Sequence, residues 1–264
     1  MNNNQNSIGV FDSGVGGTSV WKEIVKLLPY EKTIYLADSK NAPYGVKSRD
    51  EIIALSEKNT EFLLNKNCKI IVVACNTATT NAISHLRAKY NIPFIGIEPA
   101  IKPAALRTKT NSIGILATKG TLSSELFAKT SEAFAKDVQV IEQVGTGLVE
   151  LIEANQLNST ETFNLLQSYL KPMIDKDIDY LILGCTHYPY LIPQIQKILP
   201  KRIHIIDSGE AVAKQTKTVL EQNDLLNISK EFSLHEIYSN ADISALENLL
   251  VEEKSKIIIK KLDF

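Results

Sequence analysis

Two cysteines occupy the positions in this chain where chemistry is most readily built. Cys75 follows Ile70-Ile71-Val72-Val73-Ala74, a short apolar run rich in β-branched residues, as expected of a strand buried on both faces of a parallel sheet. Asn76, Thr77, Thr79 and Thr80 come next, at the opening of an expected helix from Thr77 to Tyr90, where free backbone N–H groups favour anions and lower a thiol pKa. The pattern returns 110 positions later. Tyr180-Leu181-Ile182-Leu183-Gly184 leads into Cys185, Thr186 and His187, again a strand, a thiol and polar helix-opening residues. A single strand-end cysteine reads as a buried, inert thiol. Two at equivalent points of a repeat reverse that reading. Facing one another, a thiolate and a thiol can take a proton from the α-carbon of an amino acid on one face and return it on the other, which requires two groups of similar proton affinity.

The elements that must hold these thiols repeat as well. Ser7-Ile8-Gly9-Val10 reappears as Ser112-Ile113-Gly114-Ile115, and each strand runs into a polar residue and glycine, Asp12-Ser13-Gly14 and Thr118-Lys119-Gly120. Twenty residues beyond each Cys comes another short strand, around Ile95 and Ile205. The sequence therefore predicts a duplicated α/β unit of about a hundred residues, the size of a small domain. The expected architecture is two pseudo-symmetric, doubly wound α/β domains with the active site in the cleft between them. The first domain takes residues 1–97 plus 208–264 and the second takes 98–207, with the crossing at Glu98-Pro99-Ala100-Ile101-Lys102-Pro103. In the second copy, a strand over 112–117 leads to a helix over 121–134, a strand over 138–141 and helices around 148–153 and 160–174. A helix from Glu210 to Leu220 follows, and the tail from Phe232, with one strand, a helix over 243–251 and Ile257-Ile258-Ile259, is expected to fold back on the first domain.

Composition narrows the function classes. Lys and Arg number 29 against 30 Asp and Glu in 264 residues, so no basic surplus draws the protein to nucleic acid or an anionic membrane. The start, Met1 to Asn6, is polar, and no apolar run approaches the span of a bilayer. A soluble cytoplasmic protein is expected. Three cysteines without a C-x-x-C and scattered histidines predict neither a disulfide framework nor a metal site.

Other motifs fall at the same carboxyl edge. Asp12-Ser13-Gly14-Val15-Gly16-Gly17-Thr18-Ser19 is a glycine-rich turn offering N–H groups to an anion. It is not a P-loop, because no Gly-Lys-Ser/Thr follows, and it misses the third glycine of a dinucleotide fingerprint, where Ser19 stands. Asp38 keeps a ribose-binding reading open, whereas Asp12 at the loop mouth would repel a pyrophosphate and suits a base or a group orienting a thiol. Asp38-Ser39-Lys40-Asn41-Ala42-Pro43-Tyr44-Gly45 reads as a turn, in which Tyr44 by spacing alone packs on its own loop. Ser48 and Glu51 have the spacing of a capping box. Glu153 reads equally as a solvated helix carboxylate, and Cys68 as an ordinary small apolar residue.

Taken together, Phe11-Asp12-Ser13-Gly14-Val15-Gly16-Gly17, Ala42-Pro43-Tyr44-Gly45, Ala74-Cys75-Asn76-Thr77-Ala78, Leu151-Ile152-Glu153 and Leu183-Gly184-Cys185-Thr186-His187-Tyr188-Pro189 closely resemble, in order and across nearly the whole chain, the motifs of the bacterial glutamate racemase family. Two departures are Thr18-Ser19-Val20, where the family more often has Leu before the hydroxyl residue, and Val149-Glu150 in place of Val-Pro. The resemblance implies a cofactor-independent isomerase that interconverts L- and D-glutamate and supplies D-glutamate for peptidoglycan, working as a cytoplasmic homodimer with no metal. By that likeness Cys75 and Cys185 are the acid/base pair, with Asp12 assisting Cys75 and Glu153 and His187 assisting Cys185. Ser13, Pro43, Tyr44, Gly45, Asn76, Thr77, Thr118 and Thr186, together with Asp12 and His187, would hold the substrate. Three alternatives remain: a racemase of the same superfamily fitted to aspartate or another side chain, a non-catalytic protein binding an acidic ligand, and a dinucleotide-dependent enzyme.

Overall fold

The computed structural model describes residues 3–229 and 231–264; Met1 and Asn2 of the polar start lie outside the described residues. From the amino terminus, β1 (Ile8–Asp12), α1 (Thr18–Leu27), β2 (Thr33–Ala37), α2 (Arg49–Asn65), β3 (Ile70–Val73), α3 (Asn76–Lys89) and β4 (Phe94–Gly96) alternate strand with helix. A short α4 (Ile101–Ala105) leads to β5 (Ser112–Ala117), α5 (Lys119–Leu122), α6 (Glu125–Phe134), β6 (Gln139–Val144), α7 (Leu148–Glu153), α8 (Thr160–Ile174), β7 (Tyr180–Gly184), α9 (Ile192–Ile198) and β8 (His204–Ile206). The chain ends in α10 (Gly209–Gln222), β9 (His235–Ser239), α11 (Ser244–Leu249) and β10 (Ile257–Lys261).

Two all-parallel sheets result, one in the order β10-β9-β2-β1-β3-β4 and the other in the order β6-β5-β7-β8. Four consecutive strands of the first, β2-β1-β3-β4 ending at its edge, correspond one for one to the second, so the duplication read from the sequence is also a repeat of topology. The tail strands β9 and β10 extend the first sheet beyond β2. In register, β1 runs beside β3 from Ile8↔Ile70 to Phe11↔Val73, and β5 beside β7 from Ile113↔Tyr180 to Ala117↔Gly184. Asp12 and Cys75 thus leave the same end of adjacent strands, as do Thr118 and Cys185. Ligands bind at this carboxyl edge in open α/β sheets.

Burial on both faces explains the unbroken apolar strands. Along β1 and β3, Ile8, Val10, Ile70 and Val72 pack with Trp21 and Ile24 of α1, while Phe11, Ile71 and Val73 pack with Ile52 and Leu63 of α2 and Leu86 of α3. Gly9 leaves room on the second side, because a Cβ there would meet Leu63 at 3.0 Å and the Cys68 sulfur at 3.1 Å. Cys68 fills that space as a small apolar residue, and burial pushes its thiol up to about 12.

Local sequence sets most boundaries. Ser48 accepts from the Glu51 N–H at 3.3 Å and Glu51 accepts from the Ser48 N–H at 2.9 Å, completing the capping box that opens α2. The expected helix over 121–134 is instead two, α5 and α6, because the Ser124 hydroxyl accepts from the Phe127 N–H and starts a new helix at Glu125. β6 runs three residues past its expected end at Ile141, since β5 offers partners as far as Val144. Part of the expected crossing, Ile101–Ala105, is helical despite Pro103, which sits in its first turn where no N–H is needed.

Candidate active site

Loops from both sheets converge on one small cavity. It is lined by Ser13, Pro43, Tyr44, Gly45, Cys75, Asn76, Thr77, Thr118, Val149, Cys185, Thr186 and His187, and its volume is about 10 Å³, the room of a single water. Both cysteines therefore face one space. Of the residues singled out in the sequence, Asp12 and Glu153 stand one layer behind this lining.

The two sulfurs are held differently. Cys75 is the N-cap of α3, and its sulfur accepts from the Ala78 N–H at 3.4 Å and lies 3.7 Å from the Ser13 hydroxyl. Burial, and then the neighbouring Asp12 carboxylate, nevertheless push its thiol well above the ordinary range, against the smaller opposing pull of that N–H. Cys185 caps no α-helix. Pro189 and Pro193 follow it, and the chain makes a 3-10 turn over Tyr188–Leu191 before α9 begins, so the expected direct helix opening is absent. The Nδ1 of His187, 3.8 Å from the Cys185 sulfur, takes the place of helix N–H groups.

Asp12 is completely buried and accepts from the Gly17 N–H at 2.6 Å and the Thr186 hydroxyl at 3.3 Å. Burial raises its pKa, and the His187 charge, the Cys75 thiol and the Gly17 N–H only partly offset that, which suits a carboxylate able to take up a proton. On the other side, His187 Nε2 lies 2.6 Å from Oε1 of Glu153. Burial alone would lower the His187 pKa, but hydrogen bonds to Cys185 and Glu153 outweigh it and hold it well above the ordinary value. Glu153 moves the other way: burial opposes its charge, yet His187, the Val15 N–H at 2.7 Å and the Ser39 hydroxyl at 2.8 Å keep it ionised. The pair is an imidazolium and a carboxylate. The Gly16 N–H, 3.3 Å from Nε2, can donate to that nitrogen only when it carries no proton, so in this charge state Glu153 is the partner.

The glycine-rich turn differs from expectation in what it binds. Its N–H groups go to the protein's own carboxylates, Val15 to Glu153 and Gly17 to Asp12, instead of an external anion. Only glycine admits this approach. A Cβ on Gly14 would lie 1.9 Å from Glu153 Oε1, and one on Gly16 would lie 2.2 Å from His187 Nδ1. Tyr44 does more than pack on its own loop: it lines the cavity and donates to Asp38 at 2.5 Å, with Asn59 donating to its oxygen at 3.2 Å. Asp38 also accepts from Asn41 and Asn240, so its carboxylate serves as a wall bracket, not as a ribose ligand.

At the opposite end, the Thr77 hydroxyl meets those of Thr118 at 2.8 Å and Thr121 at 3.3 Å, closing one half of the molecule on the other. Asn76 lines the cavity with a buried Nδ2 that has no hydrogen-bond partner. An unpaired buried amide costs about 1–3 kcal/mol, which an entering acceptor such as a carboxylate recovers. Val149, Thr121 and Ser39 escaped the sequence reading. An apolar residue on a helix signals only core, and Thr121 and Ser39 act through contacts to residues far along the chain. Among the described residues no three His, Cys, Asp or Glu side chains converge as a metal site.

Comparison with known proteins follows the same lines. The family described as Asp/Glu/Hydantoin racemase matches residues 8–216. A glutamate racemase of Herpetosiphon aurantiacus is 47% identical over 220 residues, covering 83% of this chain and 87% of its own. One from Ectopseudomonas mendocina is 46% identical over 251 residues, covering 95% of each chain. The crystal structure of Escherichia coli glutamate racemase in complex with L-glutamate and the activator UDP-MurNAc-Ala is similar with a TM-score of 0.86 at 33% identity, over 98% of both chains.

Proposed function

Because this chain belongs to the Asp/Glu/Hydantoin racemase family, we propose that it interconverts L- and D-glutamate without a cofactor, using Cys75 and Cys185 as a two-base pair. The observation that carries this reading is the pair of sulfurs lining a single cavity, each backed by its own proton-handling group. One thiolate removes the α-proton, the substrate carbon becomes planar, and the opposite thiol protonates its other face. No atom is gained or lost, and the two cysteines end with their protonation states exchanged. Asp12 is the group through which Cys75 is returned to its starting state, and His187, charge-paired with Glu153, serves Cys185. Asn76, Thr77 and Thr118 supply donors for one carboxylate, while Ser13, Tyr44, Gly45 and Thr186 frame the reacting end. Glutamate, as opposed to a shorter acid, is favoured by the likeness to glutamate racemases from several bacteria.

The reading extends to a cytoplasmic homodimer supplying D-glutamate to peptidoglycan synthesis, the dimer being checked by light scattering. The central experiment incubates single enantiomers of glutamate and of aspartate in D2O with no added cofactor, following optical rotation and α-deuteration. Glutamate is expected to lose rotation and gain one deuterium per inversion, with aspartate inert. A requirement for added pyridoxal phosphate, or turnover of aspartate in preference, would overturn it.

A further inference from the structure

We propose that Ser39 is a positioning residue for the Cys185 side of the reaction, holding Glu153 so that the proton relay through His187 is assembled only when the first-sheet loops close on α7. The inference rests on the two-thiol reading above. Ser39 does not line the cavity and touches no reacting atom. Its hydroxyl donates to Oε2 of Glu153 at 2.8 Å, while Oε1 takes both the Val15 N–H at 2.7 Å and His187 at 2.6 Å. Ser39 is thus the hydrogen-bond partner given to Oε2. A glutamate carboxylate rotates in a broad, nearly two-fold well, so pinning the second oxygen fixes the plane in which the first meets the imidazole.

Ser39 is itself well placed to do this. It opens a 3-10 turn over Ser39–Asn41 directly after β2, and that turn is fastened from behind. Asn240, just past β9, accepts from the Lys40 N–H at 2.9 Å and donates to Asp38, which also accepts from Asn41 at 2.8 Å. The hydroxyl therefore projects from a braced loop of one half onto a carboxylate carried by the other half. Cys75 depends less on the other half, because Ser13 and Ala78, the hydrogen-bond partners of its sulfur, lie in its own half. Only Asp12 behind it takes a longer bond from across the cleft, from the Thr186 hydroxyl at 3.3 Å, and feels the His187 charge.

The two faces are separated by elimination from L- and D-3-chloroglutamate. In that reaction a thiolate takes the α-proton, the C–H electrons form the Cα=Cβ bond and chloride departs with the C–Cl pair. Water then hydrolyses the enamine to 2-oxoglutarate and ammonium. Only the first thiol is needed, so Cys75→Ala and Cys185→Ala identify which enantiomer each sulfur serves. Ser39→Ala is expected to slow chloride release about ten-fold for the enantiomer still processed by Cys75→Ala, and by less than about two-fold for the other, the scale of losing one hydrogen bond to a charged group. Ser39→Thr, which keeps the hydroxyl, restores the rate. Ser39→Cys, nearly isosteric with a weak donor, must show the same asymmetry should the alanine variant lose the fold. Equal slowing of both enantiomers, or none, overturns the role assigned to Ser39. Failure of the two-thiol reading looks different, since the two cysteine variants would then share one enantiomer preference whatever Ser39 does.

Discussion

At the scale of single residues, the charge on the Glu153–His187 pair is tied to pH in two directions. The Glu153 pKa in the fold lies below its ordinary 4.5, so the stability this group contributes is fully present above about 4.5 and is lost as pH falls through the lower folded value. The His187 pKa lies well above its ordinary 6.5, so its contribution is fully present below about 6.5 and is lost as pH rises through the higher folded value. The two windows overlap between about 4.5 and 6.5. Glu153→Gln keeps the shape but removes the charge, so the difference in Tm between wild type and this variant should form a plateau in that interval and shrink on its alkaline and strongly acid sides. A pH scan of thermal unfolding by circular dichroism checks it, and a difference that keeps growing toward pH 9 would show that the pair is not the charged one described. The same pair explains why two cysteines in equivalent strands behave differently. Cys75 receives an N–H from the helix it caps, whereas Cys185, denied that helix by two prolines, draws on an imidazolium that itself needs a buried carboxylate.

Among the elements, the turn between β1 and α1 has the least freedom. Gly14 and Gly16 are glycine because side chains from α7 and from the loop after β7 press against them, not because the backbone adopts an unusual conformation. Gly14→Ala must push Glu153 away, and displacements of about 1 Å at such a site cost on the order of 10²-fold in rate. Gly9→Ala, five residues earlier on β1, overpacks Leu63 and Cys68 on the far side of the sheet and should cost about 1–3 kcal/mol of stability with kcat little changed. Denaturant melts and racemisation rates on the two variants should therefore move in opposite columns, and equal losses in both measurements for both variants would refute the distinction. These elements also show where the sequence was readable. The strands, the capping box at Ser48 and the thiols at two strand ends were legible, because apolar runs, capping residues and an offset repeat are local signals. The break at Ser124 was not, since Thr121 to Phe134 carries no proline or glycine and a serine cap is indistinguishable from a serine inside a helix. Nor was the use of the glycine turn by the protein's own carboxylates, because Val15 and Glu153 are brought together only by the packing of one half on the other.

For the whole molecule, the decisive quantity is the size of the cavity. The space between the sulfurs, about 10 Å³, admits one water, and Pro43, Gly45, Thr118 and Val149 of its lining also border a pocket of about 240 Å³ beside it, so an amino acid reaches both thiols when the halves move apart along that side. What holds them together is a set of contacts between the two sheets' loops: Glu153 with Val15 and Ser39, the Ser19 hydroxyl on the Thr186 carbonyl at 2.8 Å, and Thr77 with Thr118 at 2.8 Å. Gly45 and Gly120 complete the seam, since a Cβ on Gly120 would lie 3.2 Å from the Gly45 Cα. Opening must break these contacts and others across the same seam, such as Thr18 with Tyr190 at 2.6 Å and Asn81 with the Gly120 carbonyl at 3.2 Å, and must shift the apolar packing the halves share, a change of the kind that occurs in microseconds to milliseconds. The cysteines report on it. Cys68, Cys75 and Cys185 are 5%, 4% and 7% exposed, so in the closed state all three are equally shielded from a reagent such as iodoacetamide. Cleft opening uncovers Cys75 and Cys185 but leaves Cys68 in the core between α2 and β1. Mass spectrometry should accordingly find two carbamidomethyl groups added at a rate set by opening, with Cys68 modified only under denaturing conditions, and saturating glutamate should slow the two and leave the third unmodified. If Cys68 reacted alongside the other two, or if glutamate protected neither, the cleft would not be the part of the molecule that moves.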